Sequence, residues 1–225
     1  GPAGIAAEED LAVLAARSLK AATGSPFGAS LTVRKRIPVG GGLGGGSSDA
    51  ATTLLALNEL WGCGLTSDEL ARLGLTLGAD VPVFVQGFSA WGEGLGERLT
   101  PVTLPEAWYA IIFPGVSVST RAVFQSPELT RNSPLITIRA FFESGGRNDC
   151  EGAVRAHSPE VAEALEWLGR YARARLTGTG SCVFAACESA IEAERLAARV
   201  PDRWTSYVAR GLNTSPVLER LRRGH

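Results

Sequence analysis

Six glycines in seven positions, Gly40, Gly41, Gly42, Gly44, Gly45 and Gly46 with Leu43 embedded, stand directly before an Ala- and Leu-rich helical pattern. No other stretch restricts the fold of the chain as much. A backbone without Cβ atoms can turn through left-handed conformations and approach its neighbours closely. The helix it opens onto begins with N–H groups that lack internal partners, so the combination suits an anion, above all a phosphate. A plain glycine run would serve as a flexible linker. Leu43, the Ser47-Ser48 pair expected to cap the helix, and the abrupt helix itself argue against that reading.

Two familiar phosphate-loop templates do not fit. Gly40 to Gly45 satisfies G-x-G-x-x-G formally, but the strand-like residues before it include Arg34, Lys35 and Arg36, unlike the buried first strand of a dinucleotide fold. A Walker A loop needs Lys after its last glycine, and here Ser47 follows Gly46 directly.

Around the loop, residues 8–22 show the stripe Leu11, Leu14, Ala15, Leu19 of an amphipathic helix. Residues 29–35 alternate apolar and polar, which predicts a half-exposed antiparallel strand. A helix over 47–61 stops at Gly62 and Gly64, and Thr66-Ser67-Asp68-Glu69 reads as a capping box. A turn at 78–82 leads into a strand at 83–85, and Trp108 to Phe113 is a second strand. Ser158 and Pro159 open a helix ending near Ala174, 176–186 is strand-like around a Gly-Thr-Gly turn, 188–200 is an amphipathic helix, and 206–212 is a last strand. This order predicts an α+β fold with a domain boundary near Pro101. Arg220, Arg222 and Arg223 read as a solvated basic terminus.

Composition excludes several function classes. The 225 residues, 45% hydrophobic with net charge -1, can build one large domain or two small ones. Near-neutrality argues against charge-driven binding of nucleic acid or membrane, and no run of about 18 apolar residues exists to span a bilayer. Cys63, Cys150, Cys182 and Cys187, with only His157 and His225, do not supply a zinc site. They read as reduced thiols of a cytoplasmic protein, Cys182 among the buried ones. The chain contains no methionine and shows no signal peptide at Gly1 to Gly4, so it reads as a fragment or a processed product.

Pro38 to Ala50 matches P-x-x-x-G-L-x-x-(G)-S-S-x-A, the phosphate loop of the superfamily of galactokinase, homoserine kinase, mevalonate kinase and phosphomevalonate kinase (the GHMP kinases). Residues 39–61, 75–87, 114–120, 148–151 and 176–185 together resemble one family within it, the 4-diphosphocytidyl-2-C-methyl-D-erythritol kinases of non-mevalonate isoprenoid biosynthesis. The resemblance implies a two-domain fold, with a ribosomal protein S5 domain 2-like domain over 1–101, incomplete at its start, and a ferredoxin-like domain over 102–225. It also implies transfer of the ATP γ-phosphate to a hydroxyl of a CDP-linked methylerythritol by a cytoplasmic monomer or weak homodimer.

By the same resemblance Pro38, Gly40, Gly41, Gly42, Leu43, Gly44, Gly45, Gly46, Ser47 and Ser48 hold the ATP phosphates, and Ser47 or Ser48 touches Mg²⁺. Asp80 resembles the catalytic aspartate; from local sequence alone it reads as a turn or cap residue before Pro82. Thr120 and Phe124 match the acceptor side, Phe124 stacking on cytosine, although a Phe in an apolar stretch is also ordinary core. Gly178 and Thr179 belong to a second glycine motif. Arg121 stands where the family has a smaller residue. The family's Pro-Ala-Lys-Leu-Asn-type lysine motif and its Tyr-His pair are not found, and neither Lys20 nor Lys35 matches the lysine. Lys35 is instead the candidate to approach the nucleotide. The alternatives are a non-catalytic nucleotide-binding fragment and a sister kinase for another small alcohol.

Overall fold

The computed structural model of the protein describes residues 6–223. In chain order the elements are α1 (Leu11–Thr23), α2 (Gly45–Leu60), α3 (Ser67–Leu75), α4 (Val81–Gln86), β1 (Ala90–Glu93) and β2 (Arg98–Pro101). There follow β3 (Trp108–Phe113), α5 (Thr120–Gln125), α6 (Ile138–Ser144), α7 (Glu151–His157) and α8 (Pro159–Gly169). The chain continues through β4 (Arg175–Leu176), β5 (Val183–Cys187), α9 (Ala190–Ala197), β6 (Thr205–Arg210) and α10 (Pro216–Arg223). Backbone contacts divide it into two compact units. One comprises residues up to Arg36, Gly44–Pro105 and the chain from Leu212 on; the other comprises Ile37–Leu43 and Glu106–Gly211. Where the sequence suggests one cut near Pro101, the contacts put the change at Pro105, and residues from Leu212 return to the first unit.

The first unit is a helical cluster with a hairpin. Asp10 caps α1 by accepting the Ala12 N–H at 2.9 Å, and Gly24 closes it in the left-handed region. Ala15 and Leu19 of α1 meet Ala50, Ala51, Leu54 and Leu57 of α2, where small alanines let the helices approach closely. A fully buried leucine such as Leu54 contributes about 2–3 kcal/mol of hydrophobic stabilisation. The capping box forms as expected, with Glu69 N–H donating to Thr66 Oγ1 (3.3 Å) and Thr66 N–H to Glu69 Oε2 (2.8 Å).

Two expectations in this unit are corrected. Residues 24–36 have no regular secondary structure, so the strand over 29–35 is absent. Alternation makes a strand only where a neighbouring strand takes its hydrogen bonds, and among the described residues none pairs with this segment. Residues 83–85 lie in α4 rather than a strand: Val81 and Val85, four apart, are both buried, Pro82 suits a first helical turn, and Gly87 ends it at φ 67°. The terminus forms α10, whose Val217, Leu218 and Leu221 pack on the first unit's core while Arg220 is exposed, as a solvated basic residue should be. It is preceded by Asn213, which clasps the Leu104 backbone through both amide atoms at 2.8 and 2.9 Å.

The second unit is a β-α-β-β-α-β arrangement. Its antiparallel sheet runs β4-β5-β3-β6, the ferredoxin-like order in which the first and third strands lie at the centre. Trp108 pairs with Cys187 on one side of β3 and Arg210 on the other. Inward residues Ala110 and Ile112 of β3 and Val183 and Ala185 of β5 share a core with Val161, Leu165 and Leu168 of α8. α8 ends at Gly169, short of Ala174, as helix propensity falls at that glycine. Helices and antiparallel strands together make the fold α+β. Among the described residues no helix is long and apolar enough to cross a membrane.

Candidate active site

The glycine run ends inside a helix. Gly44 is the N-cap of α2, in the left-handed region at φ 68°, and its carbonyl accepts the Ser48 N–H at 2.9 Å. The N–H groups of Gly45, Gly46 and Ser47 precede that first helical bond and have no intrahelical partner. The helix starts two residues before the expected Ser47, so Ser47 and Ser48 lie in its first turn and no side chain caps it. That turn contains no acidic residue, which leaves the positive end of the helix dipole uncompensated. Gly44 must also be small, because a Cβ there would sit 2.9 Å from the Phe84 ring of α4.

The first half of the run, in the second unit, has a different environment. Ser181 N–H donates to the Gly40 carbonyl at 3.3 Å and Cys182 N–H to the Gly41 carbonyl at 2.9 Å. Thr177 Oγ1 lies 3.0 Å from the Gly41 carbonyl and 3.1 Å from that of Cys182, sharing its proton between them. A Cβ on Gly42 would meet the carbonyls of Gly180 and Thr177 at 2.6 and 2.7 Å. The two glycine motifs, Gly40–Gly42 and Gly178–Gly180, are thus strapped together backbone to backbone. Pro38 closes the near end, its carbonyl accepting the Gly41 N–H at 3.4 Å. Cys182 is fully buried against Gly41, and burial pushes its thiol up to about 12, so no thiolate charge stands beside the loop.

Asp80 is exposed at the N-cap of α4, and its side chain makes no capping bond, so its carboxylate is not spent on the local turn. The same turn runs beside α2: a Cβ on Gly78 would come within 3.8 Å of Ser47 Oγ. Both lysines are engaged. Lys20 Nζ donates to the Phe27 carbonyl at 2.8 Å, and Lys35 pairs with Asp49 in the second turn of α2. In the second unit, Thr120 at the start of α5 and Thr179 share a hydrogen bond of 2.9 Å. One turn further on, Phe124 is 57% exposed, whereas Val123 takes the core position. The Phe124 carbonyl accepts Arg131 Nη2 at 2.8 Å.

Comparison with known proteins decides the family. Residues 10–88 match the GHMP kinases N terminal domain and residues 128–206 the GHMP kinases C terminal domain. A 4-diphosphocytidyl-2-C-methyl-D-erythritol kinase of Halorhodospira halophila is 54% identical over 217 residues, covering 95% of this chain and 75% of that protein. The chain belongs to the 4-diphosphocytidyl-2-C-methyl-D-erythritol kinase family. A relative of the same name from Pseudomonas aeruginosa is 51% identical over 97% of this chain and 78% of its own length. A crystal structure of 4-(cytidine 5'-diphospho)-2C-methyl-D-erythritol kinase superposes with a TM-score of 0.79 at 36% identity, covering 93% of this chain and 80% of that one. A homoserine kinase of Cytophaga hutchinsonii shares the fold, with a TM-score of 0.63 at 15% identity over 93% of this chain and 78% of that one.

Against this kinase family, the sequence motifs fall into two structural groups. Lys35, Gly44 to Ser48 and Asp80 belong to the first unit; Pro38 to Leu43, Thr120, Phe124, Gly178 and Thr179 belong to the second. Thr177, Ser181 and Asn148, which hold the second glycine turn, were not legible as a set. Their distant side-chain partners, Leu176 for Asn148, Val116 for Ser181 and Gly41 for Thr177, lie 28, 65 and 136 residues away; Thr177 and Ser181 stood out only as members of the second glycine motif, and Asn148 only within the segment 148–151, without a role.

Proposed function

We propose that this chain carries the ATP-dependent phosphorylation of the 2-hydroxyl of 4-diphosphocytidyl-2-C-methyl-D-erythritol, giving the 2-phosphate and ADP. The observation that carries the reading is the start of α2, where the first three N–H groups have no intrahelical partner, the first turn holds no acid, and the turn with Asp80 lies alongside. Gly40 to Ser48 would take the ATP phosphates, for which an uncompensated helix N-terminus is the preferred anion site. With Lys20 and Lys35 both engaged, backbone dipoles and a divalent cation would neutralise phosphate charge. Magnesium suits the hydroxyl oxygens of Ser47 and Ser48, either of which would hold it, and when bound it supplies that neutralisation.

Asp80 would accept the acceptor hydroxyl's proton as the hydroxyl oxygen bonds to the γ-phosphorus and the bond to the ADP oxygen breaks. Exposed Phe124 offers a ring for the cytosine, with Thr120, Gly178 and Thr179 beside the acceptor. The reading includes a cytoplasmic enzyme, monomeric or weakly dimeric, acting on a small molecule. A second reading, nucleotide binding without transfer, is favoured by the engagement of both lysines. The test measures phosphorylated product from ATP, Mg²⁺ and the CDP-linked alcohol. Asp80→Asn should lower turnover by about 10²–10⁴-fold with unchanged unfolding. Unchanged turnover removes Asp80 from the chemistry. Thermal protection of the wild-type chain by ATP without any product leaves the second reading standing, and protection by NAD rather than ATP overturns both.

A further inference from the structure

We infer that Asn148 is a positioning residue that fixes the phosphate loop from a distance, by anchoring the turn against which the loop is strapped; its catalytic consequence rests on the kinase reading above. Asn148 precedes α7, and every atom of its amide is used with the correct polarity. Both Nδ2 protons are donated, one to the Leu176 carbonyl at 3.1 Å and one to the Gly178 carbonyl at 2.7 Å. Oδ1 accepts the Cys150 N–H at 3.0 Å. The side chain therefore ties the start of α7 to both ends of the segment 176–178.

That segment is a junction. On one side Thr177, Ser181 and Cys182 bond the carbonyls of Gly41 and Gly40. On another, Thr179 bonds Thr120 at 2.9 Å. Gly178 itself is exposed and in the left-handed region at φ 46°, and a Cβ on it would lie 3.6 Å from the Gly42 carbonyl. A turn of this kind, built on glycines, has little intrinsic preference for one shape. Two hydrogen bonds from one planar amide select the shape by fixing the directions of two carbonyls separated by a single residue. The neighbouring charged residues are occupied elsewhere, Asp149 with Arg147 (2.7 Å) and Glu151 with Arg155 (2.9 Å). Leu43, which follows the strapped residues, is joined in the chain directly to Gly44, the N-cap of α2.

Asn148→Asp keeps shape and acceptor but has no donor at neutral pH, and its two oxygens would face two carbonyls. Asn148→Ser keeps a local acceptor for the Cys150 N–H but cannot reach 176 and 178. Both variants are read in two ways, by amide exchange at Ser181 and Cys182 and by ADP formed per phosphorylated acceptor, a ratio that does not depend on how much enzyme is folded. At least tenfold faster exchange at both amides is expected, with a turnover loss of about 10²-fold, the scale of a misplacement near 1 Å, and at least threefold more ADP per product while KM for ATP changes less than kcat. Unchanged exchange and an unchanged ratio in whichever variant folds overturn the inference. If the wild-type chain forms no phosphorylated product, the kinase reading falls, and the exchange rates alone decide: tenfold faster supports the anchoring, unchanged refutes it.

Discussion

Gly42→Ala separates two reasons for the glycines of the loop. Gly42 has φ 73°, and a methyl there would meet the carbonyl oxygens of Gly180 and Thr177 at 2.6 and 2.7 Å and Thr177 Oγ1 at 2.8 Å. The left-handed conformation alone costs an alanine about 1–2 kcal/mol. Relieving the clash requires loop and turn to separate, which weakens the bonds from Thr177 Oγ1 and Cys182 N–H to Gly41, about 1 kcal/mol each. The sum is about 3–4 kcal/mol. Two controls divide it. Gly62 also has positive φ (62°) but nothing within 4 Å, so Gly62→Ala should cost only the conformational part. Gly28 has open space and no positive φ, so Gly28→Ala should be close to neutral. Thermal unfolding should rank the three, with Gly42→Ala lowering the midpoint by roughly 6–16 °C, at about 2–4 °C per kcal/mol. If Gly42→Ala costs no more than Gly62→Ala, the strapping of the two glycine motifs is not what requires glycine at 42.

Two further outcomes are expected. Cys182 ionises near its ordinary 9.0 when unfolded but only near 12 when buried. Between those values the unfolded chain has lost a proton that the native protein keeps, so stability is full below about pH 9 and falls as pH rises toward 12; Cys182→Ala should flatten that part of the urea-midpoint profile, and an identical slope would refute the burial argument. Phe124→Ala should raise KM for the CDP-linked alcohol roughly 5-fold to 100-fold, the scale of one base stacked on an aromatic ring, while KM for ATP stays unchanged. An equal rise in both would mean that Phe124 does not hold the cytosine.

How much of this was legible varies with the range of the interaction. The capping box at Thr66 and Glu69 and the strand Trp108–Phe113 depend on neighbours within a few residues or on strong β-propensity, and each was readable. The segment 29–35 misled because alternation records what a strand would bury, not whether a partner exists to complete the ladder. Val83-Phe84-Val85 misled because a short β-branched run cannot distinguish a buried strand from a buried helical turn. The hairpin β1–β2 and helix α10 were missed since neither has a strong local signal; α10 is specified by where Leu218 lands, against Gly87.

The glycine run shows why the site was only partly readable. Its composition points to phosphate as one function for six residues, whereas the structure assigns them two. Gly44 to Gly46 form and open a helix, a placement that follows from local sequence. Gly40 to Gly42 are glycines because neighbouring atoms occupy the space a Cβ would need: the Ser117 side chain at Gly40, Cys182 Sγ at Gly41, and the carbonyls of Gly180 and Thr177 at Gly42. No local pattern encodes that constraint, since the occupying residues are distant in sequence, Thr177 lying 136 positions from the Gly41 it bonds. The second glycine motif, Gly178 to Gly180, is its complement: glycine faces glycine because two main chains meet there, and a substitution on either side should be felt by the other. Coupling in a double-mutant cycle between Gly42→Ala and Thr177→Ser would therefore be expected, whereas Gly62→Ala, with no atom within 4 Å of its Cβ position, should combine additively with both.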